Sequence, residues 1–132
     1  MILDDKTLKM FDDPRVDKRL LNLVKEVASR IDKELPGYYF RTTEVMRTPE
    51  QQKINIAKGV SQTMNSYHLK GKAFDIYLKT VPLNDPKGNW KFSDYKKVAD
   101  LFKKVAIELG YKITWGGDWK TLVDSPHFQI EN

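Results

Sequence analysis

The stretch NSYHLKGKAFDIYL, residues 65–78, places a histidine before a glycine-bearing turn and then continues as an apolar run. His68 is one of only two histidines in the chain, and Asp75 follows it within the same stretch. The composition of AFDIYL, residues 73–78, predicts a β-strand that carries Asp75 on one face. Gly71 can adopt a positive φ, so it suits a tight turn that brings the two polar side chains together.

The spacing of apolar residues predicts helices and strands on both sides of this stretch. Helical spacing and end signals predict helices over 17–35, over 49–58 with Thr48 as N-cap and Gly59 at C′, and over 94–109 with Ser93 as N-cap. The β-branched and aromatic runs predict strands over 38–47, 73–78, 111–115 and 127–131, with loops over 59–72, 79–92 and 116–126. This order predicts an α+β fold in which helices pack on one side of a small antiparallel sheet.

Length and composition indicate a single folded domain. The chain has 132 residues, of which 40% are hydrophobic and 31% charged, values that exclude a disordered or membrane-spanning class. We therefore expect one domain over 1–132, with 1–16 as an N-terminal extension whose role the sequence does not explain. The acidic start lacks a signal-peptide pattern, so we expect synthesis in the cytoplasm without export by a signal peptide and without membrane insertion.

The absence of cysteine restricts the chemistry that the chain can support. With no cysteine there is no disulfide scaffold, thiolate nucleophile or cysteine-based zinc site. A transition metal would need His, Asp or Glu ligands. The net charge of +5 is spread along the chain without a basic run, so it fits a solvated surface or attraction to an anionic polymer such as cell wall or nucleic acid.

The second histidine, His127, opens the predicted strand HFQIE, and Asp124 stands three residues before it. A single histidine is more often structural than a ligand. Together, however, His68, His127 and Asp75 have the composition of a catalytic zinc site, with three protein ligands and a fourth position open to water. A structural zinc site would need a fourth protein ligand, and the chain offers no further histidine or cysteine for it.

Three motifs of the sequence resemble, in the same order along the chain, the motifs of one known family. SYHLKGKAFD resembles the SxHxxGxAxD signature of the D-alanyl-D-alanine carboxypeptidase-like zinc peptidases. WGGDWKTLVDSPHFQ resembles the ending of the branch that cleaves L-alanyl-D-glutamate bonds in peptidoglycan, and RTPEQQ is similar to an RxxxxQ element of the family. The resemblance runs from about Leu20 to the C-terminus and is of the phage endolysin type.

The resemblance implies a role for each matching residue. It implies His68, Asp75 and His127 as ligands of one Zn²⁺ per chain, at the edge of the sheet. It also implies Asp124 as general base and Arg47 as the cation that stabilises the oxyanion. The remaining residues expected to bind substrate or support the site are Ser66, Gln52, Trp115 and Trp119.

These implications lead to an expected function and leave alternatives. We expect a monomeric zinc peptidase that hydrolyses peptidoglycan stem peptides at the L-Ala–D-Glu bond and reaches the wall after release by a holin or by lysis. A D,D- or L,D-carboxypeptidase or a D-Ala-D-Ala dipeptidase of the same family would share the ligands. A non-catalytic zinc-containing wall-binding module would need neither Asp124 nor Arg47. We do not expect a nucleic-acid partner.

Overall fold

Four α-helices and four strands lie in the described part of the chain, residues 1–59, 66–80 and 90–131 of the computed structural model. The elements are α1 (Asp5–Phe11), α2 (Lys18–Glu34), β1 (Tyr38–Glu44), α3 (Pro49–Ala57), β2 (Ala73–Thr80), α4 (Phe92–Leu109), β3 (Lys112–Trp115) and β4 (His127–Glu131). A 3-10 turn, Gly116–Asp118, directly follows β3. None of the described helices is both long and apolar enough to cross a bilayer.

The four strands form one antiparallel sheet in the order β1-β2-β4-β3. On β2 the residues at even positions are buried, whereas those at odd positions from Asp75 onward face the opposite, more open side. Helices α2 and α4 pack against each other and also contact β1 and β3, respectively. The predicted α+β class, with helices on one side of a small antiparallel sheet, is therefore confirmed.

An aromatic cluster fills the space between the sheet and the helices. Phe74 of β2 lies 5.3 Å from Phe128 and 5.6 Å from Phe102, measured between ring centroids. Phe102 in turn lies 4.7 Å from Phe128 and 5.4 Å from Phe40. Because these rings come from β1, β2, β4 and α4, their burial fixes how the central strands sit on the helix layer.

The boundaries differ from the predictions at several elements. Helix α4 begins at Phe92 with Lys91 as N-cap, so the predicted cap at Ser93 is wrong. The centroid of the Phe92 ring lies 5.3 Å from that of Trp115, and this tertiary contact favours a helix that begins earlier than predicted. Strand β2 continues to Thr80, where the sequence predicted a loop, whereas β1 ends at Glu44. The rest of the predicted loops at 59–72 and 79–92 falls partly on residues 60–65 and 81–89, which lie outside the described residues.

The N-terminal segment packs against the loop that leads into β2. Helix α1, which the sequence did not predict, buries Phe11, and the amide of Asp17 donates a 2.8 Å hydrogen bond to the Gly71 carbonyl. Gly71 has the predicted positive φ, +66°. A Cβ there would lie 2.0 Å from the carbonyl oxygen of Arg15. Both the positive φ and this lack of space therefore exclude a side chain at residue 71.

Candidate metal centre and active site

The sheet and the loop before it bring the two histidines and Asp75 together. His127 is the first residue of β4, and the antiparallel register places it directly opposite Asp75 on β2. His68 comes from the loop before β2, where successive turns end in a 3.0 Å hydrogen bond from the amide of Lys72 to the carbonyl of Tyr67. The carbonyl of His68 also accepts a hydrogen bond from the amide of Arg47, which ties this loop to the segment after β1.

The distances between the potential ligand atoms match the distances between ligand atoms around a small bound metal ion. Oδ1 of Asp75 lies 3.2 Å from Nε2 of His68 and 3.1 Å from Nδ1 of His127. A ligand atom from each of the three residues lies within 4.8 Å of the others. Tetrahedral zinc with bonds of about 2.0–2.1 Å requires ligand atoms about 3.3 Å apart, so the two measured separations agree with such an ion.

In each histidine, the ring nitrogen that points away from Asp75 has a hydrogen-bond partner that determines the tautomer of the ring. Nδ1 of His68 lies 2.9 Å from the carbonyl oxygen of Val45, and Nε2 of His127 lies 2.8 Å from Oε1 of Gln129. The Gln129 amide nitrogen donates to Glu131 at 2.7 Å, which agrees with this orientation of the amide. Because carbonyl oxygens only accept, each ring carries its proton on the outward nitrogen and turns a lone pair towards Asp75.

Three acceptor atoms therefore converge on one point, and such a cluster needs a positive charge. Burial lowers the pKa of His127, but the adjacent Asp75 carboxylate outweighs burial and raises this pKa above its ordinary value. Burial raises the pKa of Asp75, yet the two imidazoles outweigh it and hold this pKa below its usual range. The chemistry of the donor set thus fits a divalent metal, which would replace a shared proton.

Asp124 supplies a second carboxylate at the same site. Its backbone is fixed by a 3.0 Å hydrogen bond from its amide to the Gly116 carbonyl, and the amide of His127 donates to its carbonyl at 3.1 Å. Burial raises the pKa of the Asp124 carboxyl, and the charge of Asp75 raises it further. Among the described residues no hydrogen bond or ion pair holds this carboxylate, so it is available to accept a proton.

Arg47 is held beside the ligand loop by three side chains. Its Nε and Nη2 both donate to Oε1 of Glu44, the former at 2.9 Å. Its Nη1 donates to Oε1 of Gln52 at 2.6 Å and approaches Oγ of Ser66 at 3.5 Å. Gln52 is fully buried, and Ser66 also accepts from the amide of His68 at 3.2 Å. Gln52 and Ser66 therefore lie where they orient Arg47 and the ligand loop.

The two tryptophans predicted at the site occupy different environments. The Trp119 ring lies 5.1 Å from that of His127 and is partly exposed, so it borders the centre. Trp115 is only 1% exposed and donates its Nε1 hydrogen to the Ser125 carbonyl at 2.7 Å. The prediction that Trp115 lines a substrate groove is thus corrected: alternation along β3 turns its ring into the core.

Gly116 explains why the chain after β3 can pass so close to the centre. A Cβ at Gly116 would lie 2.3 Å from the carbonyl oxygen of Asp124 and 3.1 Å from Cβ of His127. A glycine at this position therefore allows the turn and the Asp124 segment to approach each other.

The comparisons with known proteins agree with this geometry. The family model for phage L-alanyl-D-glutamate peptidase matches residues 9–131 of the chain. The chain belongs to this family. The match begins earlier than the predicted start near Leu20, and it includes the last three residues of α1.

Individual relatives show how far the similarity extends. An L-alanyl-D-glutamate peptidase of Listeria phage A118 is 44% identical over 90 residues, which cover 66% of this chain and 28% of that protein. The Escherichia phage T5 L-alanyl-D-glutamate peptidase is 32% identical over 95 residues, covering 69% and 66% of the two chains. This chain thus spans only part of the length of either relative.

A solved structure shares the fold over nearly the whole chain. The Serratia marcescens L-Ala D-Glu endopeptidase ChiX superposes with a TM-score of 0.78 and 28% identity. The match covers 96% of this chain and 85% of that one. That endopeptidase therefore shares this arrangement of helices and strands.

Sequence reasoning did not identify two side chains that orient the site, Glu44 and Gln129. Gln129 stands two residues after His127, and strand alternation places both on one face, so the sequence carried a usable signal. Glu44 stands three residues before Arg47. Its pairing with Arg47 depends on how the chain leaves β1, which residue spacing alone does not predict.

Proposed function

We propose that this chain is a zinc-dependent peptidase that hydrolyses the L-Ala–D-Glu bond of peptidoglycan stem peptides. The observation that carries the proposal is the convergence of His68 Nε2, Asp75 Oδ1 and His127 Nδ1 close to the buried carboxyl of Asp124. The family match and the two phage relatives support the bond that is cleaved.

In this proposal His68, Asp75 and His127 hold one zinc ion per chain. When bound, zinc acts as a Lewis acid and lowers the pKa of a coordinated water to about 7. The hydrogen bonds from the two rings to Val45 and Gln129 fix the tautomer and the orientation in which each ligand nitrogen is aimed at the ion.

Asp124 acts as the general base. Its carboxylate accepts a proton from the attacking water and passes that proton to the leaving amine of glutamate as the C–N bond breaks. A positioned acid–base group of this kind contributes about 10²–10⁴-fold to the rate. Its raised pKa, caused first by burial, makes the carboxylate a stronger base than an exposed aspartate.

Arg47 stabilises the negative charge that develops on the scissile carbonyl oxygen. Glu44 and Gln52 fix the guanidinium in one orientation, so little conformational entropy is lost when the charge forms. Ser66 shapes the ligand loop next to it, and Trp119 borders the substrate on the side of His127. The peptidase acts on the wall as a monomeric cell-wall lysin after release by a holin or by lysis.

Digestion of purified peptidoglycan tests this function. The zinc-loaded protein is incubated with the wall, newly exposed amino groups are labelled, and the labelled residues are identified. New N-terminal glutamate that disappears with a chelator is the expected result. Release of D-alanine instead would assign a carboxypeptidase, and zinc binding without new termini would refute hydrolysis of the wall.

The variant Asp124→Asn separates catalysis from metal binding. Because Asp124 is not a ligand in this proposal, the variant should retain one zinc per chain and lose about 10²–10⁴-fold in rate. Hydrolysis at the wild-type rate would remove Asp124 from the mechanism. Loss of the zinc would show that Asp124 belongs to the ligand set.

A further inference from the structure

The open face of the sheet continues from the candidate metal centre as a strip of cations and aromatic rings. Tyr77 and Lys79 follow Asp75 at alternate positions of β2, and the register of β1 places Arg41 opposite Tyr77 and Tyr39 opposite Lys79. Alternate residues on a strand lie about 7 Å apart, so this basic strip (Tyr39, Arg41, Tyr77, Lys79) runs from about 7 to about 14 Å beyond Asp75.

The side chains of the basic strip are arranged to receive an anion. The guanidinium of Arg41 lies 5.0 Å from the centroid of the Tyr77 ring, which orients it without neutralising its charge. Arg41 and Lys79 are exposed, and among residues 1–59, 66–80 and 90–131 neither forms an ion pair. Together with Phe40, the strip lines a shallow depression of about 300 Å³.

The flank on the other side of the centre has a different charge. Glu131 of β4 accepts hydrogen bonds from the Tyr67 hydroxyl and the Gln129 amide, both at 2.7 Å. Lys112 of β3 stands opposite Glu131 in the register, so the charges of this flank offset each other. Among the described residues of the sheet, the metal centre therefore lies between the basic strip and a flank on which the charges of Lys112 and Glu131 offset each other.

The proposed substrate has the same asymmetry about the scissile bond. An alanyl residue on the carbonyl side has an uncharged methyl side chain. A glutamyl residue on the amine side has two carboxyl groups, so it retains one free carboxylate when the other continues the peptide chain. Charge complementarity thus favours one direction of the substrate across the centre.

We propose that the basic strip, through Arg41 and Lys79, binds the carboxylate-bearing glutamyl side of the stem peptide and sets its direction across the metal centre. The inference rests on the proposed function, because only that function supplies a glutamyl residue at the centre. Arg41 is the nearer cation and contributes more than Lys79. Both contacts are exposed, so the effect on the rate is several-fold and weakens as salt is added.

The test compares two preparations of the same peptidoglycan, one untreated and one whose carboxylates have been converted to primary amides. The initial rate of appearance of new N-terminal residues is measured on each, and their ratio is the carboxylate preference. The wild-type protein is compared with Arg41→Gln and Lys79→Gln. Lys112→Gln is the matched control, because it removes the same charge from the opposite flank of the same sheet.

We expect a carboxylate preference of about fivefold for the wild type at low salt, as befits an exposed ion pair. Arg41→Gln should reduce the preference to below about twofold, whereas Lys112→Gln should retain the wild-type preference. A wild-type preference in Arg41→Gln, or an equal loss in Lys112→Gln, would overturn the inference. New termini from neither wall with the wild type would instead refute the proposed function, and the inference with it.

Discussion

The two faces of β2 differ in what they contact and in what they do. Phe74, Ile76 and Leu78 are fully buried between the sheet and the helices. Asp75 and Tyr77, which alternate with them, face the candidate metal centre and the basic strip. The comparison shows that one short strand supports the fold through one face and places the chemistry on the other. A shift of register by one residue would exchange the two roles.

The largest effect is expected when the buried face is damaged. Phe74→Ala removes a ring that contacts those of Phe11, Phe102 and Phe128, so it should lower the free energy of unfolding by about 3–5 kcal/mol. Denaturant titration of the metal-free protein measures this loss. Ile107→Ala, at a residue that is 78% exposed on α4, is the control and should change stability by less than about 0.5 kcal/mol. Equal effects in the two variants would contradict the division between the faces.

A substitution of Asp75, the neighbouring residue on the open face, should weaken zinc binding and change the stability of the fold only slightly. Asp75→Asn removes the negatively charged member of the proposed ligand set, so zinc affinity should fall by at least about 100-fold. The new amide can donate a hydrogen bond to a ring lone pair, so the metal-free protein should lose less than about 1 kcal/mol of stability. Competition with a chromogenic chelator measures the affinity, and denaturant titration measures the stability. A variant that binds zinc as tightly as the wild type would remove Asp75 from the ligand set.

A smaller effect tests whether the N-terminal segment braces the loop that carries His68. Gly71→Ala places a Cβ against the Arg15 carbonyl at a positive φ, so it should lower the free energy of unfolding by about 2 kcal/mol or more. Gly110→Ala is the matched control, because Gly110 also has a positive φ but open space around it, and about 1 kcal/mol is expected there. If the two losses are equal, the contact with Arg15 does not constrain the loop.

The smallest effect is expected when the hydrogen-bond partner of the His127 ring is removed. Gln129→Ala removes the carbonyl oxygen that fixes the outward nitrogen of the ring, so zinc affinity should fall by about tenfold. Gln51→Ala, an exposed glutamine on α3 that bonds to Asn55, is the control and should leave the affinity unchanged. The same affinity in both variants would show that Gln129 does not tune the site.

The sequence predicted the parts of the molecule that depend on local patterns. Helix α2, strand β2 and the meeting of His68 with Asp75 followed from apolar spacing and from the motif around these two residues. Thr48 caps α3 as predicted, because its side chain accepts a hydrogen bond from the amide of Gln51. These features are determined by residues close together in the chain.

The parts that the sequence did not predict depend on tertiary contacts. Helix α1 is short and begins with charged residues, and it becomes intelligible only when Phe11 is seen against Phe74. Trp115, in the motif WGGDW, was expected among the substrate-binding residues, yet strand alternation turns its ring into the core. The anchoring of Arg47 by Glu44 likewise arises where the chain leaves β1.

Anomalous diffraction at the zinc absorption edge, from crystals of the zinc-loaded protein, tests the central claim most directly. The account predicts one strong peak per chain, about 2.0–2.2 Å from Nε2 of His68, Oδ1 of Asp75 and Nδ1 of His127. It also predicts that the outward ring nitrogens keep their contacts with Val45 and Gln129. A peak at other atoms, or zinc-loaded crystals with no peak between these three residues, would contradict the account.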